Sequence, residues 1–245
     1  MRSSPIRVAM WSGPRNISTA MMRAWENRPD TVVVDEPLYG YYLSRSGLDH
    51  PGAAEVIAHQ DTDWRRVTAG LTGPIPDGRA VYYQKHMTHH LLPEIDLDWV
   101  DSLQNCFLIR SPEAVRVSYV KKREEVNAED LGFRRQAEIF DHVRQRTGRV
   151  PPVLEAGEFL KRPGPMLEWL CRDLGLDYSQ RMLNWPPGPR TTDGIWAKHW
   201  YAAVEASTGF APYEDRDLHL PSALRPIADS CRPYYERLYP HRLGQ

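Results

Sequence analysis

Short apolar runs recur along the chain. Val8–Trp11, Thr31–Val34, Ala80–Tyr83 and Cys106–Ile109 have the length of strands, and a fifth falls near Val150–Leu154. Between and after them the apolar positions return with helical spacing, over Ile17–Trp25, Val115–Arg123, Phe133–Gln145, Met166–Leu174 and Ala223–Leu238. Strands alternating with helices predict an α/β fold of three layers, a mainly parallel sheet flanked by helices. Strands this continuously apolar are expected to be buried on both faces. Tyr178–Thr192, with Pro186, Pro187 and Pro189, reads as a loop. No repeat or linker divides the sequence, so residues 1–245 are read as a single domain. In such sheets the ligand lies beyond the C-terminal ends of the strands. The loops after Trp11, Val34, Gln84 and Ile109 should therefore face one crevice.

Charge and composition narrow the function. The formal net charge of −1 gives no global field toward nucleic acid or an anionic membrane, so any anion site must be a local pocket. Cys106, Cys171 and Cys231 are widely spaced and match neither a metal motif nor a disulfide framework, which suits a reducing, cytoplasmic setting. No adequate apolar stretch follows Arg2, and no run of about 18 apolar residues occurs, so neither a signal peptide nor a membrane span is expected.

Four short segments carry candidate chemistry. Trp11–Ala20, WSGPRNISTA, follows a strand and enters a helix, which is how a chain builds an anion cradle from free backbone N–H groups and a helix dipole. Arg15, Ser18 and Thr19 add side-chain donors; a plain capped core helix would use much the same residues. The Walker pattern G-x-x-x-x-G-K-[ST] is absent. Arg110 leaves the end of a strand, Ser111 and Pro112 suit a helix start, and Ser118 follows two turns later. An arginine fork with a hydroxyl suits phosphate oxygens, and an exposed arginine beside a capped surface helix is the alternative. Lys85 and His86 stand where a strand is expected to run out, His86 as a base and Lys85 as a neutraliser of charge. His86, His89 and His90 lack a well-spaced carboxylate for a metal. Asp35 and Glu36 end another strand, and either could be a base of raised pKa, a helix cap or an ion-pair partner of Arg15.

Taken in order, these segments resemble the PAPS-dependent sulfotransferases, where PAPS is 3′-phosphoadenosine 5′-phosphosulfate. Pro14-Arg15-Asn16-Ile17-Ser18-Thr19 resembles that family's phosphosulfate loop P-K-S-G-T-T. Gln84–Pro93 aligns without a gap on K-T-H-L-P-x-x-L-L-P, placing His86 on the family's catalytic histidine. Arg110 and Ser118 match the interval of its 3′-phosphate site. Val153–Leu176 is similar to its late strand and helix, and Gly194–Trp200 to the segment that closes over the nucleotide. The endings W-S-x-P-R-N-x-S-T and D-E-P resemble a bacterial branch of these proteins.

The resemblance implies a P-loop nucleotide-hydrolase-like sulfotransferase fold and in-line transfer of a sulfuryl group from PAPS to a hydroxyl or amine of a small-molecule acceptor. Pro14, Arg15, Asn16, Ile17, Ser18 and Thr19 would hold the phosphosulfate, Arg110 and Ser118 the 3′-phosphate, with Arg190 as a further arginine there and Trp196 in the closing segment. His86 would be the base, Glu36 its rival, and Lys85 an aid at the bridging oxygen, with no metal required. The implied partners are a small molecule rather than nucleic acid or membrane, with a homodimer allowed. Three positions depart from the pattern. Arg15 replaces a lysine; Ile17 replaces a glycine, so the loop must avoid positive φ there; and Ala20 stands where many members carry an adenine-stacking tryptophan. The rival readings are a P-loop-type small-molecule kinase, which would need a lysine at the helix start, and a non-catalytic nucleotide-binding module.

Overall fold

The computed structural model describes residues 5–120, 127–214 and 220–244. Five parallel strands form one sheet in the order β2-β3-β1-β4-β5, with β1 Ile6–Ser12, β2 Thr31–Asp35, β3 Val81–Met87, β4 Gln104–Ile109 and β5 Val153–Glu155. The α-helices are α1 Ser18–Glu26, α2 Tyr39–Ser46, α3 Ala53–His59, α4 Trp64–Thr72, α5 Pro112–Val120, α6 Phe133–Thr147, α7 Ala156–Lys161, α8 Pro163–Asp173, α9 Ala197–Trp200, α10 Ala202–Glu205 and α11 Arg225–Leu238. The chain thus alternates as its apolar pattern predicts. β5 starts after Pro151 and Pro152, which cannot donate to a ladder. The expected helix through Arg123 is described to Val120; residues 121–123 lie outside the described residues. β3 runs longer than its apolar stretch suggests, because polar Gln84, Lys85 and His86 continue it, and all seven of its positions are buried.

Period-two alternation sorts these strands into two cores. Val8 and Met10 of β1, Val81 and Tyr83 of β3, and Cys106 and Leu108 of β4 pack with α1, α7 and α8. Ala9, Trp11, Phe107 and Ile109 face the opposite way, onto α6, α2, α4 and α11. Three layers result, as expected. Since β1 sits between β3 and β4, successive connections leave it in opposite directions, and this switch point opens a crevice at its C-terminal end. Gln136 of α6 closes the floor there by donating from Nε2 to the carbonyls of Trp11 at 2.9 Å and Leu108 at 3.1 Å. Among the described residues no helix is long and apolar enough to cross a membrane.

Gly132, at φ +70°, joins the Glu129–Leu131 turn to α6, and a Cβ there would collide with Thr88 Oγ1 and the backbone N of His89. Gly148 has a similar φ of +67° in open space. Urea unfolding should therefore find Gly132→Ala destabilised by roughly 1–3 kcal/mol or more and Gly148→Ala by about 1 kcal/mol.

Candidate active site

At the end of β1 the chain turns through Gly13, Pro14, Arg15, Asn16 and Ile17 into α1. The turn is shaped by Arg15, at φ 57°, not by Ile17, whose φ of −88° satisfies the requirement set by its Cβ. Asn16 fixes the turn from both ends: Oδ1 accepts from Ile17 N at 2.9 Å, and Nδ2 donates to Leu108 O at 3.0 Å. No side chain caps α1. Its first-turn N–H groups, those least served inside a helix, thus begin where the crevice begins.

Two cationic side chains converge on this turn. Arg110, just past β4, donates from Nη1 to the Arg15 carbonyl at 2.6 Å. Arg15 Nε donates to Ser118 Oγ on α5 at 3.1 Å. Ser111 caps α5 by accepting from Ala114 N at 3.3 Å, with Pro112 as its first residue. Arg15, Arg110 and Ser118 line one cavity of about 630 Å³, together with residues 14 and 16–20, Glu36, Lys85 and Trp196.

A buried charge cluster forms the inner wall. Strand register places Asp35 opposite Lys85. Lys85 Nζ donates to Asp35 Oδ1 at 2.8 Å, Glu36 Oε1 at 2.6 Å and Tyr201 Oη at 2.5 Å. Tyr201 Oη donates to Asp35 Oδ2 at 2.7 Å, and Gly194 N reaches the same oxygen at 3.1 Å. Trp196 Nε1 donates to Tyr201 Oη at 3.2 Å. The segment from 194 to 201 is thereby fastened to the strand ends. Burial opposes the charge on Lys85, but Asp35 and Glu36 outweigh it and hold the ammonium well above its ordinary range. Burial pushes the Glu36 carboxyl up, with Lys85 pulling against it. Glu36 also has a positive φ of 41° although it precedes Pro37, a strained combination. Its backbone is secured by N donating to Lys85 O at 3.0 Å and by Gln60 Nε2 donating to its carbonyl at 3.2 Å.

The profile of the sulfotransferase domain family matches residues 6–239. The chain belongs to that family. Two curated relatives from Arabidopsis thaliana, the branched-chain-amino-acid aminotransferase-like proteins 2 and 1, are 30% and 31% identical to this chain over 94% and 98% of its length. The chain spans only 41% and 42% of theirs. A sulfotransferase from Alicyclobacillus acidocaldarius aligns with TM-score 0.55 at 12% identity, over 98% of this chain and 97% of that one. The sulfotransferase domain of the Synechococcus PCC 7002 olefin synthase aligns with TM-score 0.52 at 17% identity, over 95% of each. These likenesses identify the fold.

Two of the expected site residues lie outside this cavity. His86 neighbours Lys85 on a strand, so the two side chains leave opposite faces of the sheet. Lys85 joins the crevice; His86 stacks on Trp11, with ring centroids 4.3 Å apart, and its Nε2 contacts Gln84 Oε1 at 3.1 Å. It does not line the cavity. Arg190 is also turned away. Arg23 of α1 is wholly buried and requires counter-charge, which Asp193 supplies at 2.7 Å and Glu26 at 3.4 Å. The 190–193 turn is folded onto that pair: Asp193 accepts from Arg190 N, Thr192 binds Glu26, and Arg190 Nη2 donates to Pro186 O. Asp35 and Glu36 pair with Lys85 rather than with Arg15. Other lining residues had no local signal, including Leu160 of α7 and Phe210.

Burial lowers His86 and His89 to about 3. In the unfolded chain such groups titrate near 6.5. As pH falls the unfolded state takes up protons first, so stability present above pH 6.5 is lost progressively toward pH 3, at about 1.4 kcal/mol per pH unit per histidine. Unfolding midpoints across this window should show the loss, and His86→Phe, which keeps the stack on Trp11, should show a shallower one. Equal slopes would contradict a neutral buried His86.

Proposed function

We propose that this sulfotransferase transfers the sulfuryl group of PAPS to a hydroxyl of a small-molecule acceptor. One observation carries the reading: a helix start, two arginines and a buried carboxylate–lysine pair share a single cavity. The uncapped start of α1 and the two arginines are the donor set an anion with two phosphate ends needs, so the residues fit the group. PAPS would supply an activated S–O bond. The backbone N–H groups at 16–19 and Arg15 would hold its phosphosulfate and neutralise charge on the leaving phosphate. Arg110 and Ser118 would hold the 3′-phosphate. Ala20, Leu160 and Phe210 leave an apolar wall for the base. Lys85, with three hydrogen bonds already made, would keep Glu36 in place instead of reaching for the bridging oxygen. Glu36 would take the proton of the attacking hydroxyl, its affinity for protons raised by burial. Positioning and charge neutralisation supply most of the catalysis in transfers of this kind.

With a chelator present, PAPS and its desulfated 3′,5′-bisphosphate, PAP, should raise the melting temperature, and AMP and ATP should do so much less. Arg110→Ala should lose affinity for PAP far more than for AMP, and an equal loss for both would remove Arg110 from the 3′-phosphate. In single-turnover transfer, Glu36→Gln should be slower by roughly 10²–10⁴-fold, while His86→Phe should retain the wild-type rate if it folds. Nucleotide binding without any transfer would favour the non-catalytic module.

A further inference from the structure

His90 ends the short turn Thr88–His90 that follows β3 and lines the same cavity as Arg15 and Glu36. Its ring stacks on two neighbours from α2, Tyr39, 4.6 Å away and 7° from parallel, and Tyr42, 4.8 Å away and 27° from parallel. Its Nδ1 is buried without a hydrogen-bond partner and lies 3.8 Å from Glu36 Oε2. That carboxylate commits Oε1 to Lys85 at 2.6 Å, so Oε2 is the atom turned to the imidazole. A buried nitrogen without a partner is costly, and the nearby carboxylate oxygen is its natural complement once the gap closes by about 1 Å. A carboxylate on one ring nitrogen selects the tautomer whose other nitrogen carries the lone pair.

We propose that His90 is the imidazole that meets the acceptor, conveying the hydroxyl proton to Glu36. The inference rests on the sulfuryl-transfer reading and adds a catalytic residue to it. In the step, the acceptor oxygen bonds to sulfur while the S–O bond to the leaving phosphate breaks and its electron pair stays on the phosphate oxygen. The hydroxyl proton passes to His90 Nε2 as the Nδ1 proton passes to Glu36 Oε2. No electrons are gained or lost, and Glu36 later returns the proton to solvent. The surroundings favour this direction. Burial, then His89, His50, Lys85 and His86, hold His90 well below its ordinary range, whereas burial raises Glu36, and both shifts favour moving the proton from the ring toward the carboxylate. Tyr39 and Tyr42 of α2, His50 ahead of α3, His89 beside it and Lys85 of β3 are the groups that face or influence the ring. A relay that begins at a nitrogen lone pair needs an acceptor group with a proton to give and a lone pair to attack with. A neutral hydroxyl meets both needs, and an ammonium group lacks the second.

The test uses PAPS labelled in its sulfuryl group, with water as the acceptor, and reads release of inorganic sulfate in a single turnover. His90→Phe keeps a ring stacked on Tyr39 and Tyr42 but has no nitrogen. It should release sulfate roughly 10²–10⁴-fold more slowly than wild type while binding PAP equally well. His90→Ala should be slow and regain rate on addition of free imidazole, a response that a packing role would not give; it also decides the matter if the Phe variant does not melt cooperatively. Wild-type rates in His90→Phe beside a slow Glu36→Gln would overturn the role of His90 and leave the transfer reading standing, as would a slow His90→Ala that imidazole does not restore. A wild-type chain that binds neither PAP nor PAPS would remove the transfer reading, and His90 with it.

Discussion

A lysine ammonium with almost no exposed surface cannot stand inside a parallel sheet unless opposite charge stands with it. Lys85 is such a group, and much of the site follows from what its burial demands. Asp35 comes from the neighbouring strand by register and Glu36 from the residue after it. Tyr201 comes from far along the chain, and its phenol, kept protonated by burial, bridges lysine and aspartate. Removing Lys85 or Asp35 would leave charge uncompensated, a loss of about 3–5 kcal/mol for a pair of this kind. The cluster therefore does structural and chemical work together: it pulls the 194–201 segment against the strand ends and leaves one carboxylate oxygen facing the cavity.

The sheet separates the two tasks by face. On the side of Tyr83 and Lys85, the strand end meets the start of α1 and lines the crevice. On the side of Gln84 and His86, the same strand is packed against Trp11 and Trp99 and serves stability. Adjacent residues can thus have unrelated roles, because a strand gives each its own side of the molecule.

This explains which parts were legible in the sequence. The apolar strands with helices between them gave the layered fold, since burial on both faces demands continuous hydrophobicity. The turn after Trp11 and the Arg110–Ser118 interval were legible because each is local, fixed by one strand end and one helix start. His86 lies off the crevice, and an alignment on a motif carries no information about which face of β3 meets it. Arg190 lies outside it because its surroundings are set by Arg23, some 170 positions away, which draws the whole turn to itself. The contact of Lys85 with Tyr201 depends on how the chain returns after α8, and no local pattern announces it. His90 stood in a histidine-rich stretch where spacing alone favoured no single ring.

Arg15 and Glu36 both line the crevice, and both hold a left-handed backbone that only glycine adopts without penalty. Relief of that conformation and retention of the two charges are mutually exclusive at these positions. Laboratory selection for heat resistance alone would drift toward glycine at both and strip the crevice of both charges.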